Sequence, residues 1–346
     1  MNTFRFLRPS VNPILVKELR SRMRGIRPYA ILTIFILFMI VIGYIIYQMS
    51  LSQVRFGMTV LSPQVGQSLF NGLALCELFL VIFLAPALTS SAISAEREQL
   101  TYDLLVTTPL KPLRILWGKL IAALSYLLLV IFAAIPVFSV VLIFGGVNPR
   151  DMIKALLLLL ISAIFFGAIG LFCSALCKRT AQATVLSYSI ILLILGVSML
   201  LSLTWGRFSD PPGQNVPEYI LYLNPFSALS SITILTPMNF NSPFPVMFDS
   251  SMIYGGLAWQ TLLATGVLIY DENGPLVLPI FRATILLYPF LTLLLCWISS
   301  HLILPRRRWW PRWSDLGFLL SLVLFGVLIF MLRSWWYVPT INRIPF

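Results

Sequence analysis

Acidic side chains are scarce in this chain, 12 among 346 residues. Three of them, Glu96, Glu98 and Asp103, fall within eight positions. With Arg97, Thr101, Leu104 and Leu105 they make a short polar segment between two long apolar ones. A dense polar helix between membrane spans must sit in water, where another protein can reach it, so the chemistry suggested is docking. No catalytic constellation accompanies it. The one histidine, His301, lies near the end of an apolar run, where a structural role is usual. Cys173 and Cys177 are i, i+4 neighbours at metal-ligand spacing, but no His or carboxylate joins them, and packing between helices suits them better. Gly118-Lys119 has the form of the end of a phosphate loop. The first glycine is missing, Leu120 replaces Ser or Thr, and no strand precedes it, so any ATP must be bound by another chain.

Glu77 is a different case, a lone carboxylate about a third of the way into an apolar run. Unpaired carboxylates in lipid are costly, so it must be protonated, paired or set in a wet cavity. It reads either as a functional intramembrane acid or as an interhelical hydrogen bond that orders the bundle.

The elements that position these residues follow from composition. The chain is 59% hydrophobic and 10% charged, against roughly 25% charged in a soluble domain. So much apolar surface calls for lipid as solvent. Six runs are long enough for a bilayer core, which takes about 20 residues in helix: Pro28–Met49, Gly66–Ile93, Leu120–Phe144, Ala155–Cys177, Thr184–Leu203 and Ala283–Leu304. Leu316–Leu332 is a shorter seventh. The runs are continuous rather than alternating, which excludes barrel strands and leaves an all-α polytopic membrane protein. Residues 1–27 hold seven Lys or Arg and no compact apolar signal core, so the first span stays in the membrane. The domains read as an N-terminal region over 1–27, a transmembrane region over 28–304, and a basic-aromatic segment with the seventh helix over 305–346.

Charge sets the orientation. With the N-terminus in the cytoplasm and seven spans, 17 Lys or Arg fall inside and 7 outside, as the positive-inside rule requires. Residues 205–282 form the longest connection, on the outer side. Its uncharged stretch Ser250–Tyr270 reads as a re-entrant or interfacial helical element, because spanning there would place Arg306–Arg308 and Arg312 outside. Trp309, Trp310 and Trp313 before the seventh run, and Trp335, Trp336 and Tyr337 after it, read as headgroup anchors rather than a nucleic-acid surface. In the fourth span Ala163/Gly167 and Gly170/Ser174 are small-xxx-small pairs that permit close helix contact.

The polar segment has helix signals of its own. Ser94 is placed to cap it, Glu96 and Glu98 suit the first turn, and Leu100 and Leu104 share a face. Thr107-Thr108-Pro109 stops it, giving a helix over 95–106.

These residues resemble the ABC-2 type transporter permeases. The likeness rests on Glu96-Arg97-Glu98-Gln99, Thr101-Tyr102-Asp103-Leu104-Leu105, Thr107-Thr108-Pro109-Leu110 and Gly118-Lys119. It rests also on the N-terminal run from Asn12 to Arg24, similar to that family's amphipathic elbow helix and containing Lys17, Glu18, Arg20 and Arg22. The likeness covers about residues 11–305. One departure is Leu100, where the family often has Gly, which leaves the helix end there open to a shift. The resemblance implies six core helices, an elbow helix and a cytoplasmic coupling helix at 95–106. Its implied contacts with a separate ATP-binding subunit are Glu96, Arg97, Glu98, Thr101, Asp103, Leu104 and Leu105. It further implies ATP and Mg on that subunit with no cofactor on this chain, a second permease subunit, and export across the cell membrane. The competing readings are a non-transporting membrane scaffold and an integral membrane enzyme acting on lipid-linked substrates. The second would need His, Asp or Ser clustered at a membrane face.

Overall fold

The computed structural model describes residues 27–55, 62–101, 112–208, 216–233, 268–271, 274–303 and 313–337. Six helices among them are long and apolar enough to cross a membrane. They are α1 (Arg27–Arg55), α2 (Ser62–Thr89), α4 (Pro112–Phe144), α5 (Pro149–Leu176), α6 (Thr180–Phe208) and α9 (Ile280–Ile303). The short α3 (Ser94–Glu98) follows α2 after one turn. Between α6 and α9 lie α7 (Glu218–Leu221), α8 (Pro225–Thr233) and an antiparallel hairpin of β1 (Leu268–Asp271) and β2 (Gly274–Val277), with Leu268 opposite Val277. The described chain closes with α10 (Trp313–Met331) and α11 (Arg333–Trp336).

The long helices begin before the apolar runs that announce them. α4 starts at Pro112, eight residues before Leu120, and so includes Lys119. A hydropathy boundary marks where apolar character stops, whereas backbone hydrogen bonds continue until a cap or proline ends them. At α5 that cap is explicit. Asn148 accepts from the Arg150 N–H at 3.1 Å, Pro149 takes the first helical position, and Asp151 sits in the first turn. The preceding turn uses Gly145 and Gly146 at φ 80° and 78°, a region side chains avoid.

α5 and α2 form the centre. Of their most apolar windows 67% and 61% are buried, against 11% for α1 and 17% for α6. α5 packs on α2, α9, α4 and α6, and its small residues make that possible. A side chain on Gly170 would meet Thr89 and Pro86 of α2, and one on Gly167 would reach Leu124 of α4 at 2.8 Å. Both small-xxx-small pairs therefore serve contacts within the chain. Phe165 of α5 stacks on Tyr288 of α9 at 4.3 Å between ring centres.

The long connection holds an element that composition concealed. α8 is buried among α9, α2 and α5. Asn224 caps it by accepting from Phe226 N–H at 3.0 Å. Three bonds tie this stretch to the start of α9: Thr284 Oγ1 donates to Tyr222 O (3.0 Å), Tyr288 Oη to Leu223 O (3.0 Å), and Phe281 N to Ser231 Oγ (3.1 Å). Asn-Pro reads as loop punctuation, yet an Asn cap followed by Pro is also how helices begin. The stretch expected to be helical, Ser250–Tyr270, ends instead in strand β1 over its last three residues, and its remainder lies outside the described residues.

α10 runs back along α9. Phe290 stacks on Phe325 at 6.4 Å, and Arg282 Nη1 donates to Trp335 O at 3.1 Å. Its 19 residues reach about 28 Å at the α-helical rise, close to the thickness of a hydrocarbon core. Its apolar part is the shorter Gly317–Met331.

Candidate functional site

The polar segment sits at the end of the bundle where α2, α5 and α9 finish and α4 and α6 begin. Three successive charged side chains of α3 point about 100° apart, as helical geometry dictates, and each engages a different long helix. Glu96 Oε1 accepts from Lys119 Nζ of α4 at 3.1 Å, and the same ammonium donates to Ala92 O at 2.7 Å. Lys119 is only 2% exposed, so its charge is neutralised inside the protein. Arg97 Nη1 donates to the carbonyl of Cys177, the residue that ends α5, at 3.1 Å. Glu98 accepts from the Thr180 N–H at 2.9 Å and from Thr180 Oγ1 at 3.0 Å, at the first residue of α6. Cation at a helix C-terminus and carboxylate at an N-terminus are the favourable pairings with the two helix dipoles.

A serine of α5 holds the start of α3. Ser174 Oγ accepts from the N–H groups of Ile93 (2.9 Å) and Ser94 (3.0 Å) and donates to Ser94 Oγ at 3.3 Å. Ser94 was the expected cap. It lies instead inside the first turn and donates its hydroxyl to Ser90 O at 2.9 Å, leaving the capping work to Ser174.

The helix ends sooner than 95–106. Leu100 adopts φ 57°. Its N–H donates to Arg97 O at 3.3 Å, and Thr101 N–H donates to Glu96 O at 3.0 Å. That pair of bonds with a left-handed residue is a Schellman ending, normally built on glycine. Leu100 thus takes the conformation that glycine usually supplies at such an ending, and the helix that begins at Ser94 stops before it. Thr101 Oγ1 also donates to Glu96 Oε2. Asp103, Leu104 and Leu105, like the elbow residues Lys17, Glu18, Arg20 and Arg22, lie outside the described residues.

Glu77 is placed otherwise. It is fully buried in α2, and neither carboxylate oxygen has a hydrogen-bond partner among the described residues. It stands one heptad after Phe70, which meets Phe138 of α4, and four residues after Leu73, which faces Gly43 of α1. Helical periodicity therefore turns it toward the seam of α1 and α4, away from Phe79, which meets Phe226 of α8 at 4.7 Å. The Trp297 and His301 rings pack edge-on at 5.0 Å, and the buried Trp297 Nε1 and His301 Nε2 find no partner among the described residues.

Sequence reasoning missed Lys119, Ser174 and Thr180 as members of the polar site. Lys119 was visible only as the partner of Gly118, and Ser174 only as the small end of a packing motif.

Helices of this length and composition define a multi-pass membrane protein. Within that class, the chain belongs to the ABC-2 family of transporter membrane proteins: the family model described as ABC-2 family transporter protein matches residues 12–270. No curated protein matches it.

Proposed function

We propose that this chain is the membrane-spanning subunit of an ABC exporter, driven by ATP bound with Mg on a separate subunit. The observation that carries this reading is a charged helix at the bundle's end in a chain of the ABC-2 family, joined to three long helices. The segment from Ser94 to Val106 is the docking element, with Glu96, Arg97, Glu98, Thr101, Asp103, Leu104 and Leu105 at or beneath the contact. Lys17, Glu18, Arg20 and Arg22 lie on an elbow helix along the membrane face. Seventeen basic residues against seven put this end in the cytoplasm of a cell membrane. Two permease subunits, identical or different, frame the pathway. The family's membrane domains typically carry no catalytic activity, which is why hydrolysis is assigned to the partner.

The test is a cross-link. Gln99 is exposed beside α3, and Gln99→Cys in the tagged, membrane-inserted chain should couple through a short bis-maleimide to an ATPase subunit that co-purifies with it. A chain that inserts normally, yet neither retains an ATPase subunit nor cross-links to one, sinks the reading.

A further inference from the structure

We propose that α3 is locked as one body with the cytoplasmic ends of α4, α5 and α6, and that Lys119, Ser174 and Thr180 are the positioning residues that transmit its displacement. This rests on the reading that the α3 segment takes the load from an ATPase subunit. Charged residues on a docking element are ordinarily credited to the partner surface. Here Glu96, Arg97 and Glu98 each spend hydrogen-bonding capacity on the chain itself, in consecutive order on α4, α5 and α6.

Three features make the junction a clamp rather than a set of surface ion pairs. Lys119 and Ser174 are buried, at 2% and 0% exposure, so breaking their bonds leaves unpaired polar groups away from water. Ser174 closes two backbone N–H groups of the α2–α3 turn, groups that no water reaches. A further bond, Ser90 Oγ to Thr184 Oγ1 at 2.9 Å, ties the same turn to α6 one turn further along. A push on α3 therefore cannot be absorbed by bending at the turn. It must displace α4, α5 and α6 together, and α5 is the central helix of the bundle. Its 28 residues carry the movement about 42 Å at the helical rise, to Asn148 at the opposite end.

The experiment reads that movement without requiring a known substrate. The tagged chain, with its four native cysteines changed to Ala and with Asn148→Cys, is purified with its co-purifying ATPase subunit and placed in nanodiscs. Maleimide labelling of position 148 is timed with and without ATP and vanadate. Lys119→Met is expected to retain the ATPase subunit at the unsubstituted yield while the ATP-dependent change in labelling rate falls about tenfold, within the range by which coupling residues act. Lys119→Arg should restore most of it. Thr180→Val combined with Ser174→Ala should give the same uncoupling by loosening α5 and α6, and stands in if Lys119→Met does not insert. A full ATP-dependent change in these variants overturns the inference, and so does loss of the ATPase subunit from Lys119→Met, which would assign Lys119 to the docking surface. Absence of an ATPase subunit from the unsubstituted chain instead overturns the underlying reading.

Discussion

Glu77 and Glu96 stand on one continuous stretch of chain and meet opposite environments. Glu96 reaches a buried lysine at 3.1 Å and a threonine hydroxyl. Glu77 is buried in the middle of α2, and no described group bonds to either oxygen. A carboxylate at a helix junction can gather donors because turns leave backbone and side-chain polar groups unspent. Within a long helix the backbone donors are already used, and only a neighbouring helix can supply one. The first arrangement fixes structure. The second keeps a cost that a purely structural site would have removed, which is the reason to look for a function there.

The two carboxylates should therefore respond with opposite sign. Glu96→Ala removes the carboxylate that the buried Lys119 ammonium meets at 3.1 Å, and losing a hydrogen bond to a charged group costs about 1.5–3 kcal/mol. Thermal unfolding of the purified complex should show a clear loss, and unchanged stability would break the contrast. Glu77→Leu removes a desolvated polar group with no described bond to lose, so stability should stay level or rise. A marked loss would mean that Glu77 has a partner from beyond the described chain. Glu77→Gln should fold normally while altering ATPase stimulation in the reconstituted complex, and unaltered activity across pH would return Glu77 to a packing role.

Smaller effects sharpen the junction side. Thr180→Val removes the hydroxyl's bonds to Glu98, keeps the backbone one and should cost about 1 kcal/mol, measurable as faster amide exchange at the first turn of α6. Leu100→Gly should stabilise α3 by up to about 1 kcal/mol, since it relieves a left-handed residue that glycine adopts freely. Leu100→Val at the same place should destabilise, because β-branching suits that conformation least.

Burial and orientation of the helices were legible to different degrees. Six spans could be placed from apolar length, since the bilayer fixes that length and backbone groups in lipid leave few alternatives. Their ends could not, because Lys119 and Arg114 look like boundaries in a hydropathy reading although α4 continues through them. A helical element in the long connection was expected on Ser250–Tyr270. The buried helix lies at Pro225–Thr233, where Asn224 and Pro225 carried both a loop and a helix-start meaning. The departure at Leu100 was the one local signal that anticipated a tertiary result, a helix end.

By itself the sequence determined the solvent, the six long apolar helices among the described residues, and the class of protein. Each of these depends on composition or on spacing along one element. Tertiary structure decided which charge pairs with which: Glu96 with Lys119, Arg97 with the end of α5, Glu98 with the start of α6, and Glu77 with no described group. Those partners lie 23 to 82 positions away for the three bonded residues. No periodicity within one helix records a distance of that kind; it is set by how the helices pack around Gly167 and Gly170.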